Sequence, residues 1–330
     1  MPLQRNGKYD IIYSVITMTK LFLLVPCFNE EKALPITATA LKGKMEELYK
    51  AGKISNDSRI VFIDDGSKDS SADIIRTLHK DSRLFSGIFL SRNKGHQNAL
   101  LAGLHYAADK CDCAISLDCD LQDDINAIDK MLESFLSGND IVYAVRSSRK
   151  KDSFFKRFTA RCFYKTTKLL GGEIVENHAD FRLMSNRALN SLKEFKEVNL
   201  FLRGIVPMLG FKTDLVYYER LERVAGKSKY PLRKMISFAN EGITSLSTRP
   251  LNIIISLGFF ITFISFIMLI YSLVQHFMGN TEVGWTSTFV SIWFLGGIQL
   301  IALGVIGKYI GKIYLEAKHR PPYIIEEIIE

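Results

Sequence analysis

Two stretches near the C-terminal end, Leu251–Val274 and Thr288–Gly307, run for 24 and 20 residues without one charged side chain. A helix rises 1.5 Å per residue, so about 20 apolar residues cross the roughly 30 Å hydrocarbon core of a bilayer. Both stretches reach that length, whereas helices buried in a soluble core rarely run so far without a charge. They predict a pair of transmembrane helices. The mean hydropathy of the whole chain, +0.07 over 330 residues, is nonetheless too low for a polytopic transporter. The sequence therefore excludes a simple soluble enzyme and a many-span carrier alike. What remains is a large polar domain carried by a hairpin of two spans.

Charge orients that hairpin. Formal net charge is +8, from 43 Lys+Arg against 35 Asp+Glu, and its placement is uneven. Between Arg220 and Pro250 seven basic residues stand against two acids, and Lys308, Lys312, Lys318 and Arg320 follow the second stretch. The connecting loop, Gln275–Ser287, has no Lys or Arg. By the positive-inside rule both flanks, with both termini, face the cytoplasm, which predicts a multi-pass protein of the inner (cytoplasmic) membrane. The chain divides into an N-terminal extension (1–20), a cytoplasmic domain (21–219), a basic juxtamembrane segment (220–250), the two spans (251–310) and a tail (311–330). Arg5 and Lys8 precede an apolar run, Ile11–Ile16, that is too short for a signal peptide and lacks a cleavage site. Five cysteines, an odd number without a C-x-x-C pair, predict neither a disulfide framework nor a thiolate zinc site.

Within the polar domain, short apolar runs alternate with helical periodicity. Leu21–Val25, Ile60–Ile63, Ile88–Leu90, Ala114–Leu117 and Ile141–Val145 are the runs. Between them lie stretches such as Glu30–Tyr49, His96–Ala108 and the Ile125/Ile128/Met131/Leu132/Phe135 series, apolar at helical spacing. Continuous apolar strands separated by helices predict an open α/β fold, a parallel-rich sheet covered on both faces. Such sheets bind ligands beyond the carboxyl ends of their strands. Asn29, Asp64, Asp65, Asn93, Asp118 and Asp120 all follow the ends of predicted strands. Ordinary turn chemistry also favours Asp and Asn, but a polar residue at four successive strand ends predicts a site.

The sharpest feature is Asp118-Cys119-Asp120-Leu121-Gln122-Asp123. If the segment is extended, residues two apart face one side, so Asp118, Asp120 and Gln122 converge. Two carboxylates and an amide make a hard oxygen site suited to Mg²⁺ or Mn²⁺.

Val25-Pro26-Cys27-Phe28-Asn29-Glu30-Glu31, Asp64-Asp65-Gly66-Ser67, Asn93-Lys94-Gly95-His96 and the Asp118–Asp123 segment occur in the order and spacing of family 2 glycosyltransferases. Asp180-Phe181-Arg182-Leu183-Met184, Gly226-Lys227-Ser228-Lys229-Tyr230, the paired spans and Arg320-Pro321-Pro322-Tyr323 narrow the likeness to polyprenyl-phosphate glycosyltransferases. Over nearly the whole chain it resembles the bacterial bactoprenol glucosyltransferases, relatives of dolichol-phosphate mannose synthase. The resemblance implies a GT-A-type fold and sugar transfer from a UDP-sugar to undecaprenyl phosphate, glucose foremost. N-acetylglucosamine, mannose and aminoarabinose are the alternative sugars. It implies that Pro26, Phe28, Asn29, Glu30, Asp65 and Lys94 line the nucleotide-sugar side together with Asp118. It assigns Asp118, Asp120 and Gln122 to the metal, and Asp180 and Arg182 to the reacting centre, while Asp64 has a supporting role. A downstream flippase and a lipid-sugar-dependent transferase are implied as partners.

Acceptor chemistry calls for cations. A phosphate monoester with a second pKa of about 6 is mostly dianionic at neutral pH and needs little help from a base. It needs groups that hold it against a second anion, the donor diphosphate, and guanidinium does so bidentately. The candidates are Arg146, Arg182, Arg203, Arg223 and Lys229, each with a solvated charge or lipid contact as the competing role. Asp180 orients the sugar, acts as a base, or simply pairs with Arg182. Arg146–Lys168 holds nine basic residues against one acid, interleaved with Phe154, Phe155, Phe158, Phe163 and Tyr164. Such a segment suits an anionic membrane surface or packs its aromatics on the core. Without a recognition motif it does not predict nucleic-acid binding. Gly297, Gly304 and Gly311 recur every seven residues in the second span, a spacing that allows close helix approach within the hairpin or in a homo-oligomer. The rival functions are a processive polysaccharide synthase, a non-catalytic lipid-sugar binding membrane protein and a metal-dependent hydrolase. Neither tryptophan follows an arginine, as the processive enzymes' Q-x-x-R-W signature requires.

Overall fold

The computed structural model describes residues 18–147, 178–197, 201–219, 249–278 and 284–330. The predicted runs form strands: β1 (Leu21–Cys27), β2 (Arg59–Asp64), β3 (Phe85–Leu90), β4 (Cys113–Ser116) and β5 (Ile141–Arg146). Every residue of β1 is buried. Side chains alternate between faces, so Leu21, Leu23 and Val25 join one core layer and Phe22 and Leu24 the other. The helices between them are α1 (Leu34–Lys50), α2 (Ser71–Asp81), α3 (His96–Ala107) and α4 (Ala127–Leu136). Leu34, Leu41 and Leu48 of α1, Ile75 of α2 and Met131 of α4 fill the first layer. Leu100 and Leu104 of α3 fill the second.

Three strands extend the sheet beyond what the apolar runs predict: β6 (His178–Ser185), β7 (Thr213–Tyr218) and β8 (Ile325–Ile329). The full order is β7-β5-β6-β4-β1-β2-β3-β8. The β4-β1-β2-β3 block is parallel throughout. Strand β6 inserts antiparallel between β4 and β5, so β5 does not continue the parallel series directly. Helices α5 (Asn186–Lys193) and α6 (Leu202–Met208) follow β6 in the chain. Their Leu189, Leu192, Ile205 and Val206 complete the second layer, so among the described residues each face of the sheet carries three helices.

The tail is structural. Strand β8 lies antiparallel along the β3 edge. The Ser91 amide donates to the Ile324 carbonyl, Tyr323 Oη lies 2.9 Å from His105 Nδ1, and Arg76 pairs with Glu327 at 2.7 Å. The chain thus returns to the sheet after its two long helices, α7 (Arg249–Phe277) and α8 (Trp285–Ala317). These helices span 29 and 33 residues. Leu251–Met268 and Phe294–Ala317 within them are apolar enough to cross a membrane, and none of the described side chains in either window is buried against the protein. Both helices overrun the predicted spans. The glycine series of α8 meets no atom within 4 Å of where a Cβ would stand. The basic stretch after Arg146 and the juxtamembrane segment with Arg223 and Lys229 fall outside the described residues, apart from their ends.

Candidate active site

The loops at the carboxyl ends of β1 and β2 are laced together. Asn29 takes a left-handed conformation (φ 55°), its amide donates to Ser67 Oγ at 2.9 Å, and its Oδ1 accepts from the Lys68 amide at 2.8 Å. The Glu30 amide donates to Ser71 Oγ at 2.9 Å. Pro26 is buried as part of β1, whereas Phe28, just past the end of that strand, is 41% exposed.

Asp64 and Asp65 are both buried, with different tasks. Asp64 Oδ2 accepts from the Ser67 amide, closing its own turn, while Oδ1 is buried without a hydrogen-bond partner. Asp65 accepts from the Lys94 amide at 2.7 Å and the Gly95 amide at 2.8 Å. Burial pushes the Asp65 carboxyl above its ordinary value, against the pull of those two amides. Asp65 thereby fixes the loop carrying Lys94 and the first turn of α3. Gly66 between these loops has φ +65°, and a Cβ there would stand 2.6 Å from the Arg92 carbonyl carbon. Only glycine fits that turn.

The Asp118 segment is not extended as the i, i+2 argument assumed. Strand β4 ends at Ser116, Cys119 and Asp120 lie in a turn, and Leu121 has φ 51°. The Asp120 carboxylate accepts from the Gln122 amide at 3.1 Å. Asp118 is 40% exposed in the cleft. Desolvation, joined by the Asp123, Asp180 and Asp120 carboxylates, pushes its pKa to about 6 despite the opposing pull of His96. Such crowding of negative charge favours a cation. Among the described residues no three His, Cys, Asp or Glu side chains gather in a metal-binding group. The donors on this loop are two carboxylates and an amide, which fit a hard divalent ion that keeps several waters.

Asp180, on β6, is the electrostatic centre of the opposite wall. Arg203 of α6 grips it with Nε at 3.2 Å and Nη2 at 3.1 Å. Arg182 approaches from behind at 3.4 Å. Burial raises the Asp180 carboxyl, but Arg203, His96 and Arg182 outweigh it and hold the group well below the usual carboxylate range. Arg182 corrects an expectation. Its side chain is completely buried, with Nη1 directed to the Leu202 carbonyl at 3.4 Å, so it braces Asp180 and α6 and offers no surface to an acceptor phosphate.

His96 joins the two walls and was not among the residues expected to act. Its Nε2 lies 3.6 Å from Asp118 Oδ1 and 3.6 Å from Asp180 Oδ2. Desolvation pulls its pKa down, but Asp180 and Asp118 prevail and raise it. Its place at the first turn of α3, after a strand-end Asn-Lys-Gly, was the available sequence signal. The fold therefore brings Asp118, Asp180, His96 and Arg203 into one cluster, with Asp120 and Gln122 beside it. Arg146 lies at the end of β5 and pairs with Asp123 at 3.4 Å.

This geometry coincides with a family match. The model of glycosyl transferase family 2 matches residues 22–193. That is more than half of the chain, and it spans the strand-end loops just described. The chain belongs to glycosyltransferase family 2. Its sheet is that family's GT-A-type fold, and it is an enzyme of the glycosyltransferase class. The chain is 49% identical over 306 residues to the uncharacterised glycosyltransferase YkoT of Bacillus subtilis, covering 93% of this chain and 91% of that one. It is 45% identical over 312 residues to the bactoprenol glucosyl transferase of Shigella phage SfV, covering 93% and 98%. Among solved structures, glucosyl-3-phosphoglycerate synthase of Mycobacterium tuberculosis, crystallised with Mn²⁺ and UDP-glucose, matches with a TM-score of 0.46 at 16% identity over 69% of this chain and 78% of that one. A likeness that distant carries no functional weight.

Proposed function

We propose that this glycosyltransferase is anchored in the membrane by α7 and α8 and moves a sugar, glucose foremost, from a UDP-sugar to a polyprenyl phosphate. The observation that carries the reading is the reach of its likeness to a bactoprenol glucosyl transferase: 93% of the chain is covered. That leaves uncovered fewer residues than either apolar helix contains, so the likeness includes the parts that would meet a lipid as well as the sheet.

The chemistry follows from the charges. The acceptor phosphate arrives as a nucleophilic dianion and attacks the anomeric carbon from the side opposite the leaving diphosphate, which inverts that centre. Asp180 is a poor base in this scheme. A carboxylate held well below its ordinary pKa by Arg203 and Arg182 does not take a proton at neutral pH. Its role is to accept hydrogen bonds from a sugar hydroxyl and to keep Arg203 at the cleft. Asp118 and Asp120, with Gln122, would hold a Mg²⁺ or Mn²⁺ ion that neutralises the departing diphosphate. Phe28 and the loop of Asn29 and Glu30 form the nucleotide side, with Lys94 held close by Asp65. The lipid-linked product suits a flippase and a second transferase downstream.

The test offers labelled UDP-glucose, UDP-N-acetylglucosamine, UDP-aminoarabinose and GDP-mannose separately to purified protein with undecaprenyl phosphate and Mn²⁺ or Mg²⁺. Label from UDP-glucose should enter the organic phase. Release of free sugar without lipid labelling would replace this reading with a hydrolase.

A further inference from the structure

Beside the cluster of Asp118 and Asp180 stands a second buried polar group made by three segments. Asp123 Oδ1 accepts hydrogen bonds from the Tyr218 hydroxyl and, at 3.4 Å, from Arg146 Nη2. Arg146 Nε donates to Tyr218 Oη at 3.2 Å, closing a triangle. Asp123 and Tyr218 are each 4% exposed, and Asp123 Oδ2 is buried without a partner. Phe181 packs edge-on against the Tyr218 ring at 5.6 Å. Ser147 ties the backbone at the same point, its amide and hydroxyl both donating to the Tyr218 carbonyl.

A carboxylate is costly to bury, and one left with an unpaired oxygen calls for a reason. The position of the triangle supplies one. Asp123 closes the loop that carries Asp118, Asp120 and Gln122, Arg146 ends β5, and Tyr218 ends β7. Two nitrogens of the Arg146 guanidinium are committed to the triangle, while its side chain stays 27% exposed. An arginine fixed on one edge presents its other edge in a set direction, and little rotamer entropy remains to be lost when an anion binds.

We propose that Asp123 and Tyr218 are positioning residues that hold Arg146 as the acceptor-phosphate clamp, in register with the carboxylates of the Asp118 loop. The inference rests on the polyprenyl-phosphate reading above. It makes the phosphate-binding arginine part of the same rigid unit as the donor side, so the two anions are brought together by one hub.

The experiment uses the full-length protein in lipid-containing micelles, with Tyr218→Phe, Arg146→Ala and the double variant, and Asp123→Asn as a second probe. Undecaprenyl phosphate binding is followed by calorimetry and transfer by steady-state kinetics. Tyr218→Phe removes one hydroxyl and keeps the ring, so the fold survives. Loss of a hydrogen bond to a charged group predicts about a tenfold loss in lipid-phosphate affinity and kcat/KM. The KM for UDP-sugar should stay unchanged. In the Arg146→Ala background the same change should add nothing, because Tyr218 acts through Arg146. Unaltered lipid-phosphate kinetics in Tyr218→Phe, or an equal loss in both backgrounds, overturns the proposal. Wild-type protein that neither binds nor glycosylates polyprenyl phosphate overturns the functional reading and this inference together.

Discussion

Replacing Arg182 by Met separates a structural from an acceptor role for the most deeply buried guanidinium in the described residues. Its side chain is 0% exposed, with 3.4 Å contacts to Asp180 Oδ1 and the Leu202 carbonyl and a buried Nε that has no partner. Removing one member of a buried ion pair costs about 3–5 kcal/mol, because the remaining charge is stranded. Two features place this case at the lower end. Asp180 keeps Arg203 at 3.2 and 3.1 Å, and burying Arg182 is itself unfavourable, desolvation holding its pKa down despite Asp180. Met preserves the unbranched stem, so little cavity forms. The expected loss is about 3 kcal/mol, a large share of a typical total of about 5–15 kcal/mol. The two tryptophans, Trp285 and Trp293, lie in α8 and do not report on the sheet. Thiol labelling does, since Cys27, Cys111, Cys113 and Cys119 are all buried in the catalytic domain. With Cys162 changed to Ser, the urea midpoint for labelling should fall by about 1–3 M, for a slope of about 1–3 kcal/mol/M. An unchanged midpoint with a selective rise in KM for lipid phosphate would refute the reasoning and return Arg182 to the acceptor site.

Other consequences are as direct. Gly66→Ala forces a left-handed residue and pushes on the Arg92–Asn93 backbone; the conformation alone costs about 1–2 kcal/mol, and calorimetry should show weaker UDP binding because the Lys94 loop shifts. Burial lowers the His105 pKa below 6.5, aided by Lys193, so the folded state binds this proton less readily than the unfolded chain. That contribution is complete above pH 6.5 and is lost as pH falls toward the lower folded value; His96 and Asp118, both raised, act in the opposite sense in wild type and variant alike, so the urea midpoint of wild type relative to His105→Gln should fall between pH 7.5 and 5.5. Deleting residues 324–330 removes β8 and bares the β3 edge; hydrogen exchange should quicken in β3 while α4 stays protected.

Much of this architecture is legible in the sequence for a plain reason. Strands buried on both faces are written as unbroken apolar runs, so β1 to β5 and the polar residues at the ends of the parallel strands can be read directly. Strand β6 escapes because His178, Asp180 and Arg182 interrupt its apolar residues; a buried ion pair in a central strand looks like a surface turn until its partners are known. Strand β8 escapes because Ile325–Ile329 is short and carries two glutamates at a sheet edge. The Asp118–Asp123 segment is a turn and not the extended stretch that its i, i+2 spacing suggests, because no pattern announces the left-handed Leu121. The buried position of Arg182 is hidden for the same reason as β6. Charge on its own does not tell a buried brace from a phosphate clamp.

The central claim is that the carboxylate cluster at the strand ends carries sugar transfer to a lipid phosphate. The most direct measurement compares wild type and Asp118→Asn, both shown to be folded by thiol protection, for movement of label from UDP-glucose into undecaprenyl phosphate. The account predicts robust labelling by wild type and a loss of at least about a hundredfold in the variant, the scale expected when a principal charge-stabilising group is removed. Equal labelling by the two proteins would contradict it.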